Sequence, residues 1–367
     1  MCTGGSCVGG KIKLNGMDIG GQLLLGATAQ GSEVLNGGQI TGIFYPCEDI
    51  GNFAGEATFT GVAAGGQIYA FDVNPPFKAD VSGDITINGD YVGLFKVDGD
   101  FTSTASLTIT GDLKANAGDD GLIWIVEEAA GDVTIKKDLI GHVHYPKTFA
   151  TNGSVTVEGN VTSSGLFKTG DLATGETHDG DLIFQGNVVG DILIHGNMSG
   201  DVTITDDQSG DLAIDEGLSG SITVGGALAN AGLGGGRIMI AGESSGPIKV
   251  GKKTGSLTLI QVAGGLAAGA TIEINTTQGP FNAVGDMHIG GTTPAALPFD
   301  GCIRIYGQSL TGNHGHLKGD LDIVMCHPNG HQLLICIDGD DAGNVTLDQT
   351  GCIPANANWD CYSPGCP

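Results

Sequence analysis

The sequence predicts an all-β protein, a single-stranded parallel β-helix or β-solenoid with short strands, Gly/Asn turns and a Cys-rich C-terminal cap. Three observations support this prediction. A unit of the form Gly-Asp-apolar-x-apolar recurs every ten residues between 180 and 224. The chain of 367 residues contains 66 glycines, which suit tight turns. Helical periodicity is nearly absent, since the one candidate, around Glu127, is too short to stand alone.

The repeat is clearest in five successive units, Gly180–Phe184, Gly190–Ile194, Gly200–Ile204, Gly210–Ile214 and Gly220–Val224. Their apolar residues flank one middle residue, as in a strand with one buried side. A further apolar residue follows many of the turns, for example Val188 and Met198. Such short strands bury their apolar side only when stacked copies share a core. Ten residues are too few for a full turn, so we expect two units, about 20 residues, per coil, with a three-unit coil as the alternative.

Looser copies of the unit extend the solenoid along most of the chain: Gly83–Ile87, Gly131–Ile135, Gly153–Val157, Gly236–Ile240, Gly255–Leu259 and Gly343–Leu347. Segments 45–80, 136–152, 164–179 and 291–316 break the period and are predicted to be loops, where function usually lies. We assign residues 1–320 to a solenoid with irregular N-terminal coils. Residues 321–367 are assigned to disulfide-rich C-terminal coils or a cap, because an open solenoid end needs covering.

The charge of the chain restricts its partners. The net charge is −26, from 41 acidic and 15 basic residues. Binding to nucleic acid depends on Lys and Arg contacts to phosphate, so we expect no nucleic-acid partner. No uninterrupted apolar stretch reaches the roughly 18 residues of a membrane span, so we also expect no such span.

The cysteines cluster at the two ends of the chain, at positions 2, 7, 47, 302, 326, 336, 352, 361 and 366. This clustering fits disulfides that fix the caps, and disulfides imply an oxidising compartment. An extracellular or cell-surface location is therefore expected, although no signal peptide is visible at the start of the numbered chain. Reduced thiols in a cytosolic protein are the alternative. With nine cysteines, one stays unpaired or pairs with another chain.

Two clusters near the C-terminus have the residue types of metal sites. Asp338, Asp340 and Asp341 resemble the start of a Ca²⁺ loop, although position twelve of that loop would be Gln349 instead of Glu. An acidic turn without an ion is the competing interpretation. No other cofactor than Ca²⁺ is expected at this site.

The second cluster consists of cysteines and histidines, Cys326, His327, His331 and Cys336. Their types and spacing suit Zn²⁺. Alternatively, both cysteines are oxidised and both histidines are exposed.

Two columns of side chains follow from stacking the repeat. Asp181, Asp191, Asp201 and Asp211 would repel one another at coil spacing unless Ca²⁺ lay between them or each accepted a turn N–H. We favour the second interpretation. A threonine occupies the middle strand position at Thr86, Thr134, Thr203, Thr223 and Thr258 and is predicted to face outward. Such a column suits ice or a polysaccharide, but strand propensity alone also explains it.

The units between 180 and 224 resemble the repeats of right-handed parallel β-helix proteins, both pectate-lyase-like and bactofilin-like. The bactofilin resemblance rests on the Gly-Asp-Ile-x-Ile pattern, here Gly190–Ile194, and implies a self-assembling filament. The pectate-lyase resemblance implies a polysaccharide-cleaving enzyme. No motif here matches a pectate-lyase site residue by residue, so no catalytic site is transferred.

The function expected from the sequence is a non-enzymatic exported surface or structural β-solenoid, adhesive or glycan-binding, with a polysaccharide or other copies of itself as partner. No nucleophile elbow, P-loop or HExxH motif occurs in the chain. The alternative is a polysaccharide lyase or hydrolase with a groove near Lys136, Lys137 and His142. A bactofilin-like filament is the third interpretation.

Overall fold

The chain consists of two compact units, each of which is a parallel β-solenoid. Unit 1 comprises residues 1–172 and 176–185, and unit 2 comprises residues 173–175 and 186–367. The computed structural model describes residues 16–20, 22–24, 34–45, 53–70, 79–115, 121–170, 175–228, 236–252, 258–267 and 270–275, and the strand backbones at 282–283, 286–289, 302–306, 316–317, 321–324, 334–337 and 345–348.

Unit 1 contains seventeen described strands: β1 (Gln22–Leu24), β2 (Val34–Asn36), β3 (Gln39–Ile40), β4 (Ile43–Tyr45), β5 (Glu56–Phe59), β6 (Gly61–Val62), β7 (Gln67–Ala70), β8 (Asp84–Ile87), β9 (Leu94–Val97), β10 (Ser106–Ile109), β11 (Leu122–Ile125), β12 (Asp132–Ile135), β13 (His142–Tyr145), β14 (Ser154–Val157), β15 (Leu166–Thr169), β16 (Thr177–His178) and β17 (Asp181–Phe184). Most of them form two parallel sheets. Sheet A1 has the order β2-β5-β8-β10-β12-β14-β17, and sheet B1 has the order β1-β4-β7-β9-β11-β13-β15.

Unit 2 contains sixteen described strands: β18 (Asp191–Ile194), β19 (Asn197–Met198), β20 (Val202–Ile204), β21 (Asp211–Ile214), β22 (Ile222–Val224), β23 (Arg237–Ile240), β24 (Ile248–Val250), β25 (Leu259–Val262), β26 (Thr271–Asn275), β27 (Asn282–Ala283), β28 (Asp286–Ile289), β29 (Cys302–Tyr306), β30 (His316–Leu317), β31 (Leu321–Val324), β32 (Leu334–Ile337) and β33 (Val345–Asp348). Sheet A2 has the order β20-β22-β24-β26-β29-β32, and sheet B2 has the order β18-β21-β23-β25-β28-β31-β33.

Each coil contains one strand of each sheet, which confirms the prediction of two repeat units per coil. In unit 2, Ile192 pairs with Leu212 and Val202 pairs with Ile222, so twenty residues complete one coil. Other coils are longer, as between Ile222 and its partner Ile248. Successive strands are parallel and in register, as the repeat requires.

Single residues form two further columns at the corners between the sheets. In unit 1, one corner column contains Phe53, Val81, Phe101, Ala129 and Phe149, each bridged to the next. Its counterpart at the other corner consists largely of aliphatic residues. The apolar residues that follow the turns of the repeat, such as Val188, are corner residues of this kind. A coil therefore has four sides, with sheets A and B on opposite walls.

The core lies inside the coils and is filled by alternate strand residues. Ile194 and Ile204, whose burial the solenoid prediction requires, are both fully buried. Aromatic rings fill the centre of unit 1, where Phe167 lies 5.8 Å from Tyr145 and 6.5 Å from Phe184 between ring centroids. Burying apolar surface in this continuous interior is the main stabilising contribution.

The predicted loops and one predicted repeat unit differ from the structure. All four segments predicted to be loops contain strands, with β5, β6 and β7 in 45–80, β13 in 136–152, β15 and β16 in 164–179, and β29 in 291–316. The unit predicted at 255–259 is displaced, because strand β25 begins at Leu259. Thr258 consequently does not face outward and is buried. Residues 171–174 and 253–257 lie outside the described residues.

The described part of the chain is built of strands and turns, and contains no helix long and apolar enough to cross a membrane. Beyond residue 320, strands β31, β32 and β33 pair in parallel with the preceding strands of their sheets. The domain boundary at 320 stays a prediction.

Candidate functional site

The predicted metal sites lie where the structure describes no side chains. Asp338, Asp340 and Asp341 are outside the described residues, and so are Cys326, His327 and His331. Cys336 lies in β32, but only the strand backbone is described there. Among the described residues, no group of three or more His, Cys, Asp or Glu is placed to hold a metal ion. Both sites therefore stay predictions.

The aspartates that begin the strands accept hydrogen bonds from the next coil. Asp191 Oδ1 accepts the backbone N–H of Asp211 at 3.0 Å. Asp201 Oδ1 accepts both the N–H and the hydroxyl of Ser221, each at 2.8 Å. In each case the donor is the residue at the equivalent position of the next coil. These bonds tie adjacent coils together.

Asp211 shows the cost of stacking carboxylates in one column. Burial raises the pKa of Asp211, and the neighbouring Asp191 carboxylate raises it further. Arg237, whose Nε lies 3.4 Å from Asp211 Oδ1, acts in the opposite direction. The Arg237 cation thus counteracts part of the rise that burial and the Asp191 carboxylate cause.

A second ladder of carboxylates runs along one corner of unit 1. Asp90 Oδ1 accepts the N–H of Asp112 at 3.0 Å, and Asp112 Oδ1 accepts the N–H of Asp138 at 3.2 Å. Asp138 Oδ1 continues the ladder to the N–H of Asn160 at 2.8 Å. Each of these residues directly precedes a corner residue. The ladder therefore supplies acceptors to backbone donors at the corner, where no strand pairing would satisfy them.

In an Asp90→Asn variant, the free energy of unfolding should decrease less on acidification than it does in wild type. A hydrogen bond from Lys114 and one from the Asp112 N–H lower the pKa of Asp90 below its ordinary value of 3.8. Because the folded-state pKa is the lower one, this stabilisation is present above the unfolded pKa and is lost as the pH falls through the folded pKa. In urea unfolding, the free energies of unfolding of wild type and Asp90→Asn should become more similar as the pH falls from about 5 to 2. The free energies of unfolding of wild type and Lys114→Met should converge in the same way. If both variants keep the pH dependence of wild type, the hydrogen bonds do not lower the pKa of Asp90 as stated.

The outer face of sheet A1, which we call the hydroxyl–acid face, carries an unbroken threonine column. Five threonines are in register on successive coils, namely Thr58, Thr86, Thr108, Thr134 and Thr156. The structure thus confirms the outward positions of Thr86 and Thr134. In unit 2, Thr203 and Thr223 are paired, and Lys249 follows them.

The second outward column of the hydroxyl–acid face is acidic. It consists of Glu56, Asp84, Ser106, Asp132, Ser154 and Asp181. The serines donate to the preceding carboxylates, with Ser106 Oγ 2.6 Å from Asp84 Oδ1 and Ser154 Oγ 2.6 Å from Asp132 Oδ1. No Lys, Arg or His occupies an outward position on the six strands from β5 to β17 of this sheet.

The outer face of sheet B1, which we call the cationic–aromatic face, has the opposite character. Its ten outward residues on β7, β9, β11, β13 and β15 are Gln67, Tyr69, Leu94, Lys96, Leu122, Trp124, His142, His144, Leu166 and Lys168. None of them is an Asp or Glu, in a chain with 41 acidic residues. This face is not recognisable from the repeat signature, because none of its five strands begins with Asp.

Ring and ammonium groups stack along the cationic–aromatic face. Lys96 Nζ lies 4.7 Å from the Tyr69 ring centroid and 5.3 Å from that of Trp124. It also donates to Tyr69 Oη at 2.8 Å and contacts Asp98 Oδ1 at 2.8 Å. Although burial lowers the pKa of Lys96, the hydrogen bonds to Asp98 and Tyr69 raise it above its usual value. The ammonium is therefore charged throughout the neutral range.

Two neighbouring rings on this face stack on each other. Trp124 and His144 are stacked, with ring centroids 6.0 Å apart and an interplanar angle of 16°. Stacking along the coil direction leaves ring edges toward solvent. The column therefore combines positive charge with apolar edges.

No protein-family model matches the sequence, and no curated protein or solved structure matches it significantly. The fold and the geometry of these faces are therefore the observations that bear on function.

An acidic depression of about 510 Å³ lies in unit 2. Its lining includes Asn197, Asp215, Glu216 and Glu243. The Glu216 carboxylate accepts the N–H of Gly175 at 2.7 Å and the side-chain amide of Asn197 at 2.5 Å. Asp215 is bound to Nδ1 of His195. Two of the acidic groups are thus held by protein donors.

The groove expected for a lyase or hydrolase is not assembled at the predicted residues. Lys136 follows a strand of sheet A1 and pairs with Glu158 at 2.8 Å. His142 begins β13 in sheet B1, and the corner residue Leu139 lies between the two sites along the chain. These residues therefore belong to different walls of the coil.

Proposed function

We propose that the protein is a non-enzymatic structural β-solenoid, which is exported and acts at the cell surface as a rigid building block. The observation that supports this is the hydrogen-bond ladder repeated from coil to coil, as from Asp90 to Asp112 and Asp138. A carboxylate that accepts a backbone N–H in each coil is fixed in orientation. A general acid, by contrast, must be free to exchange a proton with its substrate. The arrangement suits a scaffold better than a catalyst.

Adhesion to an extended glycan is a second candidate, favoured by the hydroxyl–acid face. Thr86, Thr108 and Thr134 present one side chain on each successive coil, about 4.8 Å apart. The adjacent carboxylates accept hydrogen bonds, which sugar hydroxyls donate. The opposite face is less suited to sugar stacking, because Trp124 and His144 stack on each other.

Incubation with a panel of acidic and neutral polysaccharides tests the proposal. We expect no new chain ends beyond those in a urea-unfolded control, and sustained cleavage would refute the non-enzymatic role. A glycan that binds without cleavage should be released by the pair Thr108→Val and Thr134→Val, which removes two hydroxyls and preserves side-chain shape. Export is tested by alkylating the protein isolated from its source without reduction. At most one modified cysteine of nine is expected, whereas nine would indicate a reducing compartment.

A further inference from the structure

We infer that copies of this chain associate laterally, with the cationic–aromatic face of one copy against the hydroxyl–acid face of the next. This inference rests on the proposed structural role and specifies how the building blocks contact one another. Its basis is the segregation of charge between the two walls of unit 1.

The two faces are complementary in charge. The hydroxyl–acid face carries Glu56, Asp84, Asp132 and Asp181, and no basic residue at its outward positions. The cationic–aromatic face carries Lys96 and Lys168, and no acidic residue at the outward positions of its strands. The Asp98 carboxylate that follows β9 pairs with Lys96 at 2.8 Å. In a protein of net charge −26, most surfaces of two copies repel each other. Contact between these two faces is the arrangement that replaces repulsion with attraction.

The two faces also share one period, because the same coils build both. Lys96 and Lys168 are three strand steps apart in sheet B1, through Trp124 and His144. Glu56 and Asp132 are likewise three strand steps apart in sheet A1. Both separations are about 14 Å at the usual strand spacing. Two copies with parallel coils can therefore place both ammonium groups opposite both carboxylates.

Apolar groups complete the match between the faces. Leu94, Leu122 and Leu166 are half-buried and lie in one column beside the lysine and ring column, with His142 between Leu122 and Leu166. The threonine methyl groups form a regular column on the hydroxyl–acid face. Sheets that pack face to face lie about 10 Å apart, so the leucines would fill the space between the two sheets.

The two surfaces are different and lie on opposite walls, so the contact is heterologous. Each copy keeps one unused face after binding a neighbour. An association of this kind does not close and continues as an open stack. The expected product is therefore a series of increasing mass and not a single dimer.

Sedimentation of the full chain tests the inference. In low salt, wild type should form a concentration-dependent series, which dissociates in about 1 M salt, where the Debye length is roughly 3 Å. Reversing charge on one face, with Lys96→Glu and Lys168→Glu, should give a monomer. The double variant Glu56→Lys and Asp132→Lys, which reverses charge on the hydroxyl–acid face, should also be a monomer. Mixing the two variants should restore the series, since each then offers the complement of the other.

Two further variants guard against misfolding and against a general charge effect. His142→Glu changes an exposed side chain on the cationic–aromatic face and should also weaken association. Lys137→Glu makes a comparable change in an exposed turn outside both faces, and should leave association intact. Circular dichroism must show the same strand signal in every variant.

Three results would overturn the inference. They are a wild type that is monomeric in low salt, face variants that associate as wild type does, and end-to-end polymers that persist in both face variants. None of these bears on the proposed function, which polysaccharide cleavage or a reducing location would refute.

Discussion

Replacing Phe149 by alanine is expected to lower the free energy of unfolding by about 4 kcal/mol. Phe149 is a fully buried corner residue of unit 1. Its ring centroid lies 5.4 Å from that of Tyr145 and 6.3 Å from that of Phe167. Removing the ring leaves a cavity that the regular coils above and below cannot close without losing register.

Urea unfolding followed by circular dichroism measures this effect. The control is Thr156→Ala, which truncates a half-exposed side chain and should change stability by about 0.5 kcal/mol or less. A loss below about 1 kcal/mol for Phe149→Ala would mean that the interior repacks freely, contrary to the packing described.

Gly180 provides an independent check on the same ring. A Cβ at Gly180 would lie 2.5 Å from Cζ of Phe149, so Gly180→Ala alone should be destabilising. In the Phe149→Ala background the three ring carbons that the added methyl group would meet at 2.5–2.7 Å are absent. A double-mutant cycle should therefore show strong coupling between these two positions.

Replacing Gly93 by alanine is expected to cost about 3 kcal/mol. A Cβ at Gly93 would lie 1.8 Å from the backbone oxygen of Gly66 in the preceding coil. That oxygen accepts the N–H of Leu94 at 3.0 Å, so it cannot move without breaking the ladder. The substitution would force two coils apart at the start of a strand of sheet B1.

A nearby glycine provides the matched control for Gly93. At Gly61, the nearest atom to an added Cβ is the Asp90 oxygen at 3.4 Å, an ordinary contact. Gly61→Ala should be neutral or should stabilise by up to about 1 kcal/mol, because it restricts the unfolded chain. If Gly61→Ala and Gly93→Ala change stability equally in thermal and urea unfolding, close contact between coils does not explain why position 93 is glycine.

The same contact explains why glycine precedes aspartate in the repeat. At Gly210, a Cβ would lie 1.9 Å from the oxygen of Gly190, one coil earlier. The period of ten and the alternation of apolar residues follow directly from the core, so both were predictable from the sequence. The coil of two units and the burial of Ile194 and Ile204 were predictable for the same reason.

Strands β9, β11 and β15 of sheet B1 were not predictable from the signature. In β9, β11 and β15 a leucine occupies the first outward position, which is Asp in the repeat. Outward positions do not pack in the core, so the fold constrains them weakly. The charge contrast between the two faces becomes visible only once the register assigns each residue to a wall. The carboxylate ladders were missed in the same way, because donor and acceptor lie one coil apart.

The number of residues in a coil varies while the pairing register of its strands stays the same. Twenty residues connect Ile192 with Leu212, and twenty-six connect Ile222 with Ile248, yet both pairs keep the same parallel register. Extra residues are thus absorbed between strands at a modest entropic cost. A foreign peptide inserted between two strands of a coil should therefore be displayed on the solenoid while the interior keeps its sequence and its geometry.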